Sequence, residues 1–252
     1  EYFIENSNIC LQIIDGKVLV NGIRFNLVDF VDSGDSYNSA PSPEDEGEEF
    51  KFLRSRVVMK TPLRVGLRID FEGKWDAVSL TVTLDKGTES LKFKFDWENS
   101  RRNHELCAKF ELKEPIREVF SEDMNELIKR EFDPEYDIRK NLPKERGMEA
   151  KTNTAPMQRG LLIDEEVNNL GIVTKGLTQY EVFQNNLLIP LVRATGQISN
   201  PQNPARTTPA GPPLEVKDLQ IIGHNSAEFH VFFGNQNAFN DTLGRVYNYV
   251  VV

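Results

Sequence analysis

The chain has 252 residues, of which 39% are hydrophobic and 27% are charged, and its formal net charge is -9. This length can bury a substantial core, and the composition is typical of a globular rather than a disordered protein. The acidic balance argues against a nucleic-acid partner, because proteins that bind phosphate backbones concentrate Lys and Arg on one face. No apolar run reaches the roughly 18 residues of a membrane span, and no signal-peptide pattern opens the chain.

The first part of the chain alternates apolar and polar residues with a period of two, which is typical of half-buried strands. Ile9, Leu11 and Ile13 begin this pattern, and Asn21-Gly22 is a strong signal for a type I′ hairpin turn. The same alternation predicts further strands at 66–71, 77–84, 90–97 and 102–112.

Residues 115–147 differ, since they are rich in charge and poor in alternation. Within them, Ser121 to Phe132 predicts a short helix with Ser121 as its N-cap, and 133–147 predicts a loop. A Pro- and Gly-dense loop is predicted at 200–213. Strands are predicted around these segments at 160–163, 171–174, 177–183, 187–194, 219–222, 228–233 and 245–252.

Many short strands without intervening amphipathic helices predict an all-β fold, an antiparallel β-sandwich with a long irregular middle segment and one short helix. We expect a seam between two sheets or subdomains at about residues 115–150 of the single region 1–252. The only cysteines, Cys10 and Cys107, are too few for a disulfide scaffold. They predict two buried thiols in a reducing compartment, and therefore a cytoplasmic protein.

Few residues suggest an active site. His224, Glu228 and His230 share parity on a strand and would point to one face, where they would resemble a metal site. However, His224-Asn225-Ser226 is typical of a turn, which would break the alternation, and so we expect no metal here. From the residues alone, the chain is a binding or structural β module.

A second acidic pattern is also weak. Asp133, Glu135 and Asp137 alternate like the start of a calcium loop, but the required Gly and distal Glu are missing. We interpret them as an acidic surface loop.

Five local patterns stand out in chain order between Phe30 and Phe233, and they share a likeness to one family. They are Asp32-Ser33-Gly34-Asp35-Ser36-Tyr37-Asn38 with Pro41 nearby, Trp97-Glu98-Asn99 through Asn103-His104-Glu105-Leu106, Asn153-Thr154-Ala155-Pro156-Met157-Gln158-Arg159, Gly171 through Gly176-Leu177-Thr178-Gln179-Tyr180-Glu181-Val182 to Leu191-Val192-Arg193-Ala194, and Arg206 with Ala210-Gly211-Pro212. In this order they resemble the C-terminal region of glycoside hydrolase family 38. One departure is Glu105, which stands where the family usually has Arg.

The resemblance implies a galactose-mutarotase-like supersandwich and a role in a larger enzyme. Family 38 enzymes hydrolyse α-mannosides with retention, using an aspartate nucleophile and a divalent metal, typically zinc, on an N-terminal barrel. This chain, which starts at Glu1 rather than Met, would then be a non-catalytic C-terminal region without a cofactor of its own. We expect it to brace the absent barrel, to complete one wall of the α-mannoside cleft and to mediate contacts between copies. The alternatives are a free-standing carbohydrate-binding sandwich, or an independent enzyme that uses the face of His224, Glu228 and His230.

The resemblance also implies roles for single residues. Asp35, Tyr37 and Arg206 are predicted to approach the bound sugar, with Gln158 as a further substrate-binding candidate. A tyrosine offers a flat face and a hydroxyl, and an arginine offers a fork of donors. The competing interpretations are turn chemistry for Asp35 and a loop brace for Arg206. Three other polar residues are predicted to be structural: His104, Asn153 and Arg193.

Overall fold

The computed structural model describes residues 2–40 and 45–247. In these ranges the chain forms many strands, one α-helix and two short 3-10 helices. The strands are β1 (Tyr2–Glu5), β2 (Cys10–Ile14), β3 (Lys17–Val20), β4 (Ile23–Val31), β5 (Glu48–Glu49), β6 (Lys51–Lys60), β7 (Arg64–Glu72), β8 (Ala77–Asp85), β9 (Ser90–Asn99), β10 (His104–Glu111), β11 (Glu118–Asp123), β12 (Glu126–Glu131), β13 (Thr154–Pro156), β14 (Gly160–Asp164), β15 (Asn169–Thr174), β16 (Gln179–Phe183), β17 (Asn186–Ala194) and β18 (Gly223–Phe232).

The strands form two antiparallel sheets of nine strands each among the described residues. Sheet 1 has the order β1-β2-β3-β4-β10-β17-β16-β13, with β5 paired to β4. Sheet 2 has the order β12-β11-β14-β15-β18-β9-β8-β7-β6. The predicted all-β antiparallel sandwich is therefore confirmed, and both sheets combine strands from before and after residues 115–150.

The core lies between the sheets, where alternate strand residues point inward. Its centre is aromatic: the ring centroid of Phe93 lies 5.3 Å from that of Phe25 and 5.5 Å from that of Phe229. Phe25 belongs to sheet 1, whereas Phe93 and Phe229 belong to sheet 2, and all three are fully buried. Burial of each such side chain contributes about 1.5–3 kcal/mol to the stability of the fold, so these rings stabilise the packing of the two sheets.

The predicted helix at Ser121 to Phe132 is wrong, because this segment forms the hairpin of β11 and β12. Met124 and Asn125 turn the chain with positive φ angles of 50° and 68°. The hairpin also pairs with β14, where Phe120 faces Leu162. Sheet pairing with a distant strand thus overrides the helix propensity of a charged segment.

The predicted strand at 245–252 is also wrong in its described part, since α1 (Gln236–Tyr247) includes residues 245–247. Residues 248–252 of that prediction, like Pro41 of the first motif, lie outside the described ranges. Helix α1 packs Phe239, Leu243 and Val246 on the outer face of sheet 2. Their spacing of four and three residues is the helical period. Among the described residues, α1 is the only α-helix.

Two further predictions near the C-terminal end need correction. Residues 217–220 form a 3-10 helix (Lys217–Gln220) rather than the strand predicted at 219–222, since Ile221 adopts a left-handed conformation with φ 50°. No turn interrupts His224-Asn225-Ser226, because β18 pairs without a break along β9. In the sheet, β18 lies between β9 and β15, and pairing with β9 holds residues 224–226 in register, which no local pattern reveals.

The part of the irregular middle segment that follows β12, residues 132–153, covers the outer face of sheet 1. It contains a 3-10 helix (Ile138–Lys140) after the cap Asp137, and Arg139 Nη1 donates to the carbonyl of Asp45 at 3.0 Å. Asn153 Nδ2 donates to the carbonyl of Asp133 at 3.1 Å, and the backbone carbonyl of Asn153 accepts from Val182 of β16. The end of the segment is thus bonded to β16, its beginning is bonded to that end, and its 3-10 helix is bonded to the loop before β5. A covered space lies between the segment and the strands.

Both cysteines are free, and they lie on different strands, β2 and β10. Cys107 is buried as predicted, whereas Cys10 is only half-buried. Over residues 2–40 and 45–247, no helix has the length and apolar character needed to cross a bilayer.

Candidate functional site

The loop that follows β4 is folded around two aspartates. Asp32 Oδ1 accepts hydrogen bonds from the backbone of Gly34 at 2.8 Å and of Ala40 at 2.9 Å. Asp35 Oδ1 accepts from the backbone of Tyr37 at 3.0 Å and of Asn38 at 3.2 Å. Aspartate side chains stabilise turns in this way by bonding to nearby backbone N–H groups. The first motif is therefore a compact loop in which both carboxylates are engaged.

Arg206 reaches this loop from the Pro-rich segment. Its Nη2 atom donates to the carboxylate of Asp35, and its Nη1 atom donates to Asn38 Oδ1 at 2.6 Å. The side chains of Arg206 and Asp35 are 1% and 0% exposed. We call Asp35, Tyr37, Asn38, Asn200 and Arg206 the Asp35–Arg206 cluster.

The pKa of Asp35 is lowered despite its burial. Burial raises this pKa, but hydrogen bonds from the backbone of Asn200, from the backbone of Asn38 and from the Arg206 guanidinium lower it by more. The nitrogen of Asn200 lies 2.6 Å from Asp35 Oδ2. Asp35 and Arg206 thus form a buried ion pair in which the protein satisfies the carboxylate, whereas Arg206 Nε has no hydrogen-bond partner among the described residues.

Arg193 joins the same loop from β17. Its Nε atom donates to Asp32 Oδ2 at 2.7 Å, and its Nη2 atom donates to the carbonyl of Asp35. Three motifs that are far apart in sequence therefore meet at one place, namely those of Asp32, Arg193 and Arg206. Arg193 therefore connects β17 to the loop that follows β4.

Tyr37 is the member of the cluster that faces solvent, since it is 55% exposed. The guanidinium carbon of Arg206 lies 5.6 Å from the centre of the Tyr37 ring, within cation–π range. A Cβ atom on Gly211 would lie 3.0 Å from the Tyr37 hydroxyl, so a glycine permits this close approach. The cluster thus holds one exposed aromatic ring and its hydroxyl in a fixed position, a feature suited to a sugar.

Gln158 lies elsewhere. The side-chain Oε1 atom of Gln158 accepts from the backbone N–H of Met124 at 3.1 Å. The backbone N–H of Gln158 donates to the carbonyl of Glu122. Among the described residues, no hydrogen bond joins Gln158 to the Asp35–Arg206 cluster. The structure therefore does not bring together all four predicted substrate-binding residues.

His104 is buried in a polar network between strands. Its Nδ1 atom lies 2.7 Å from Asp29 Oδ1, and its Nε2 atom lies 3.0 Å from Asn99 Oδ1. The amide nitrogen of Asn99 donates to the carbonyls of Gln220 and Ile221 at 3.0 and 2.9 Å, which fixes its oxygen toward the histidine. His104 therefore links β10, β4 and the C-terminal 3-10 helix.

The face of His224, Glu228 and His230 has no metal geometry. Glu228 forms a salt bridge of 2.7 Å with Lys92, and burial, with Lys92 nearby, lowers the pKa of His230 to about 4. Within the described ranges, no three His, Cys, Asp or Glu side chains are grouped to hold a metal ion. This strand face is thus occupied by a surface ion pair and a neutral histidine at pH 7.

The sequence marks Glu105 only as a departure from the family 38 motif around His104. It is 6% exposed on the outer face of β10, and burial, reinforced by Glu181 and Asp32, raises its pKa to about 8. The alternation of Glu105, Cys107 and Lys109 placed it on the outer face of the strand. Only the folded middle segment, which covers that face, makes it a buried acid.

The fold and these loops define a two-sheet β module that presents a fixed aromatic residue. No family model matches the chain. Over 148 residues it is 24% identical to a putative mannosylglycerate hydrolase from Halalkalibacterium halodurans, a match that covers 59% of this chain and 14% of that protein.

Two solved structures from Enterococcus faecalis have the same fold. One is an alpha-mannosidase from strain V583, with a TM-score of 0.74 and 15% identity, matched over 96% of this chain and 31% of that chain. The other is a protein in glycosyl hydrolase family 38, with a TM-score of 0.74 and 15% identity over 96% of this chain and 32% of that chain. The resemblance to family 38 that the motifs indicated is confirmed, and the chain spans less than a third of each of these three proteins.

Proposed function

We propose that this chain is the non-catalytic C-terminal β region of a family 38 hydrolase that acts on α-mannosides. The observation that carries the proposal is the fold match over 96% of this chain to 31% of an alpha-mannosidase chain. The match leaves more than two thirds of that protein for other parts, which we infer to include a catalytic barrel. The same barrel would hold the divalent metal, zinc, that the resemblance implies.

The Asp35–Arg206 cluster supports a role at the substrate cleft. Its buried ion pair fixes the loop, and the loop presents the ring and hydroxyl of Tyr37 to solvent. We infer that Tyr37 contacts the α-mannoside of the parent enzyme and that Asp35 and Arg206 position it. The catalytic groups of the barrel would then act on a substrate that this preorganised loop helps to position.

An exposed apolar edge supports a docking role. Strand β6 is the edge strand of sheet 2, and its side chains Leu53, Val57, Val58 and Met59 are 41–51% exposed. Isolated exposed edge strands of this kind favour pairing or packing with another element. We infer that the occupant is the remainder of the parent hydrolase, since the matched structures are about three times longer than this chain.

Hydrolysis of an aryl α-mannoside tests the proposal, measured on this chain and on the complete parent protein. We expect activity in the parent alone. Activity of the isolated chain would contradict the proposal and would make this chain an enzyme in its own right. An inactive parent that still binds α-mannosides through this chain would instead support the free-standing carbohydrate-binding module.

A further inference from the structure

A cavity of about 390 Å³ lies between the outer face of sheet 1 and the irregular middle segment. Its floor contains Val28, Phe30 and Leu188, which pack with Cys107 as a small apolar cluster separate from the main core. Its walls carry carboxyl, amide and cationic groups. An apolar floor with a polar wall is the usual composition of a small-molecule site.

Strand register explains how the acids reach this cavity. Glu105 stands opposite Phe30 of β4 and Arg193 of β17, so these three side chains share the outer face. Glu181 stands opposite Leu188, which in turn stands opposite Lys109. Two cross-strand rows therefore place Glu105 and Glu181 around the apolar floor.

Most of the other acids on the wall are matched by a cation. Asp32 bonds to Arg193 at 2.7 Å, Asp137 bonds to Arg139 at 2.9 Å, and Glu49 bonds to Lys109. Among the described residues, four lining acids then form no salt bridge: Asp45, Glu46, Glu105 and Glu181. Of these, Asp45 accepts hydrogen bonds from the backbone of Val31 and Gly47.

Glu105 and Glu181 have no such match. Among the described residues, neither side chain makes a hydrogen bond or a salt bridge, although Arg193 lies near Glu105 and Arg139 lies near Glu181. Glu105 Oε1 is a buried oxygen without a partner. Asn153 also lines the cavity, and its Oδ1 atom is buried without a partner while its Nδ2 atom is engaged. Unpaired buried polar atoms are costly, typically about 1–3 kcal/mol each. Glu105 and Asn153 place two such atoms at this one cavity, where the hydroxyl groups of a ligand could satisfy them.

We propose that this cavity binds a neutral polyhydroxylated ligand of about monosaccharide size. The C–H face of such a ring would lie on Phe30 and Leu188, and its hydroxyl groups would bond to Glu105, Glu181 and Asn153. The proposal goes beyond the proposed function and does not depend on it, because it concerns binding by this chain alone.

The protonation of the two acids supports a neutral ligand over a charged one. Burial raises the pKa of Glu105 to about 8 and that of Glu181 to about 7, so at pH 7 Glu105 is mainly protonated and Glu181 is about half protonated. A protonated carboxyl group donates from its hydroxyl and accepts at its carbonyl, which matches the hydroxyl groups of a sugar. An ammonium ligand offers donors alone and is bound best by ionised carboxylates, whereas a protonated carboxyl group can both donate to and accept from a hydroxyl group.

Titration of this chain with D-mannose, D-glucose and D-galactose, followed by amide NMR shifts, tests the proposal. We expect at least one sugar to shift the signals of Phe30, Glu105 and Glu181 saturably. Glu105→Leu should weaken that binding at least tenfold, while the exposed control Glu98→Leu should leave it unchanged. Glu181→Leu, at a half-buried position, provides the same test if Glu105→Leu does not fold.

Three outcomes would overturn the proposal. The first is the absence of saturable shifts with any of the sugars at millimolar concentration. The second is sugar-induced shifts confined to the loop around Tyr37, which would assign binding to the cluster and leave the cavity without a role. The third is preferential binding of ethanolamine in the cavity, which would show that its ligand is a cation. None of these readouts depends on hydrolysis, so they are separate from the test of the parent's activity.

Discussion

A buried acid has opposite surroundings in the Asp35–Arg206 cluster and in the cavity around Glu105, and its pKa shifts in opposite directions. Asp35 is fully buried beside a fully buried arginine, and hydrogen bonds lower its pKa. Glu105 is almost as buried but has no bonded partner, and its pKa rises to about 8. An acid whose charge is satisfied holds a loop in place, whereas an acid left unsatisfied is available to a ligand. The motif residues belong to the first kind, and the residue that departs from the motif belongs to the second.

The largest expected effect concerns the cluster. Arg206→Ala leaves the Asp35 carboxylate buried without its cation, so we expect the free energy of unfolding to fall by about 3–5 kcal/mol. Urea denaturation at pH 7 measures this change. The control is Arg64→Ala, whose pair with Asp85 is exposed at 47% and 40% and should contribute less than about 1 kcal/mol. Equal losses in the two variants would contradict the structural role assigned to Arg206.

The second effect is a pH dependence that arises in the cavity. The pKa of Glu105 is raised from 4.5 to about 8, so its contribution to stability is complete below pH 4.5 and is lost as the pH rises through 8. We expect the free energy of unfolding to decline in this window by up to about 1.4 kcal/mol per pH unit. Glu105→Gln cannot ionise and should remove the part of this slope that Glu105 contributes, most clearly between pH 7 and 8, above the pKa of Glu181. Parallel curves for the wild type and the variant would show that Glu105 is ordinarily solvated.

A smaller effect of opposite sign is expected for Asp70 on sheet 2. Although burial raises its pKa, bonds from Arg54 and Arg68, both at 2.8 Å, and from Ser79 lower the pKa to about 2. Its stabilising contribution is present above pH 3.8 and is lost as the pH falls toward 2. Because both arginines are partly exposed, Asp70→Asn should cost only about 1 kcal/mol at pH 7. Thermal melts at pH 7 and pH 3 measure both effects, and an unchanged melt at pH 7 would mean that solvent already screens these bonds.

The smallest effect on stability is expected for Tyr37, whose ring is exposed. Tyr37→Phe should change the free energy of unfolding by less than about 0.5 kcal/mol. In the parent enzyme the same change should lower kcat/KM for an aryl α-mannoside about three- to tenfold, because one hydroxyl hydrogen bond is lost. Trp75→Phe is a matched control, since Trp75 is also 55% exposed. If both variants retain full activity, Tyr37 has no role at the cleft.

Much of the fold could be predicted because it depends on local patterns. Alternation predicted β8 and β9 almost to the residue, and Asn21-Gly22 marks a turn in which both residues have positive φ angles. The hairpin of β11 and β12 was missed because its turn is Met124-Asn125, which lacks the glycine signal, and because pairing with β14 stabilises it. The residue pattern within one segment does not show which distant segment it will pair with.

Only part of the candidate site could be predicted from the sequence. The motifs identified Asp35, Tyr37 and Arg206, which the structure brings together, but they also suggested Gln158, which lies at another hairpin. Burial of the Arg206 guanidinium could not be predicted, because it depends on how the Pro-rich loop folds over the first motif. The cavity was missed for the same reason, since its walls come from the irregular middle segment.

Reconstitution from two pieces tests the central claim most directly. This chain and the remainder of the parent hydrolase would be produced separately, mixed, and assayed for hydrolysis of an aryl α-mannoside. We predict that the remainder alone has little activity, that this chain restores it, and that Val57→Lys on the exposed edge of β6 weakens the restoration. A remainder that is fully active without this chain would contradict the proposed role in bracing the barrel and completing the substrate cleft.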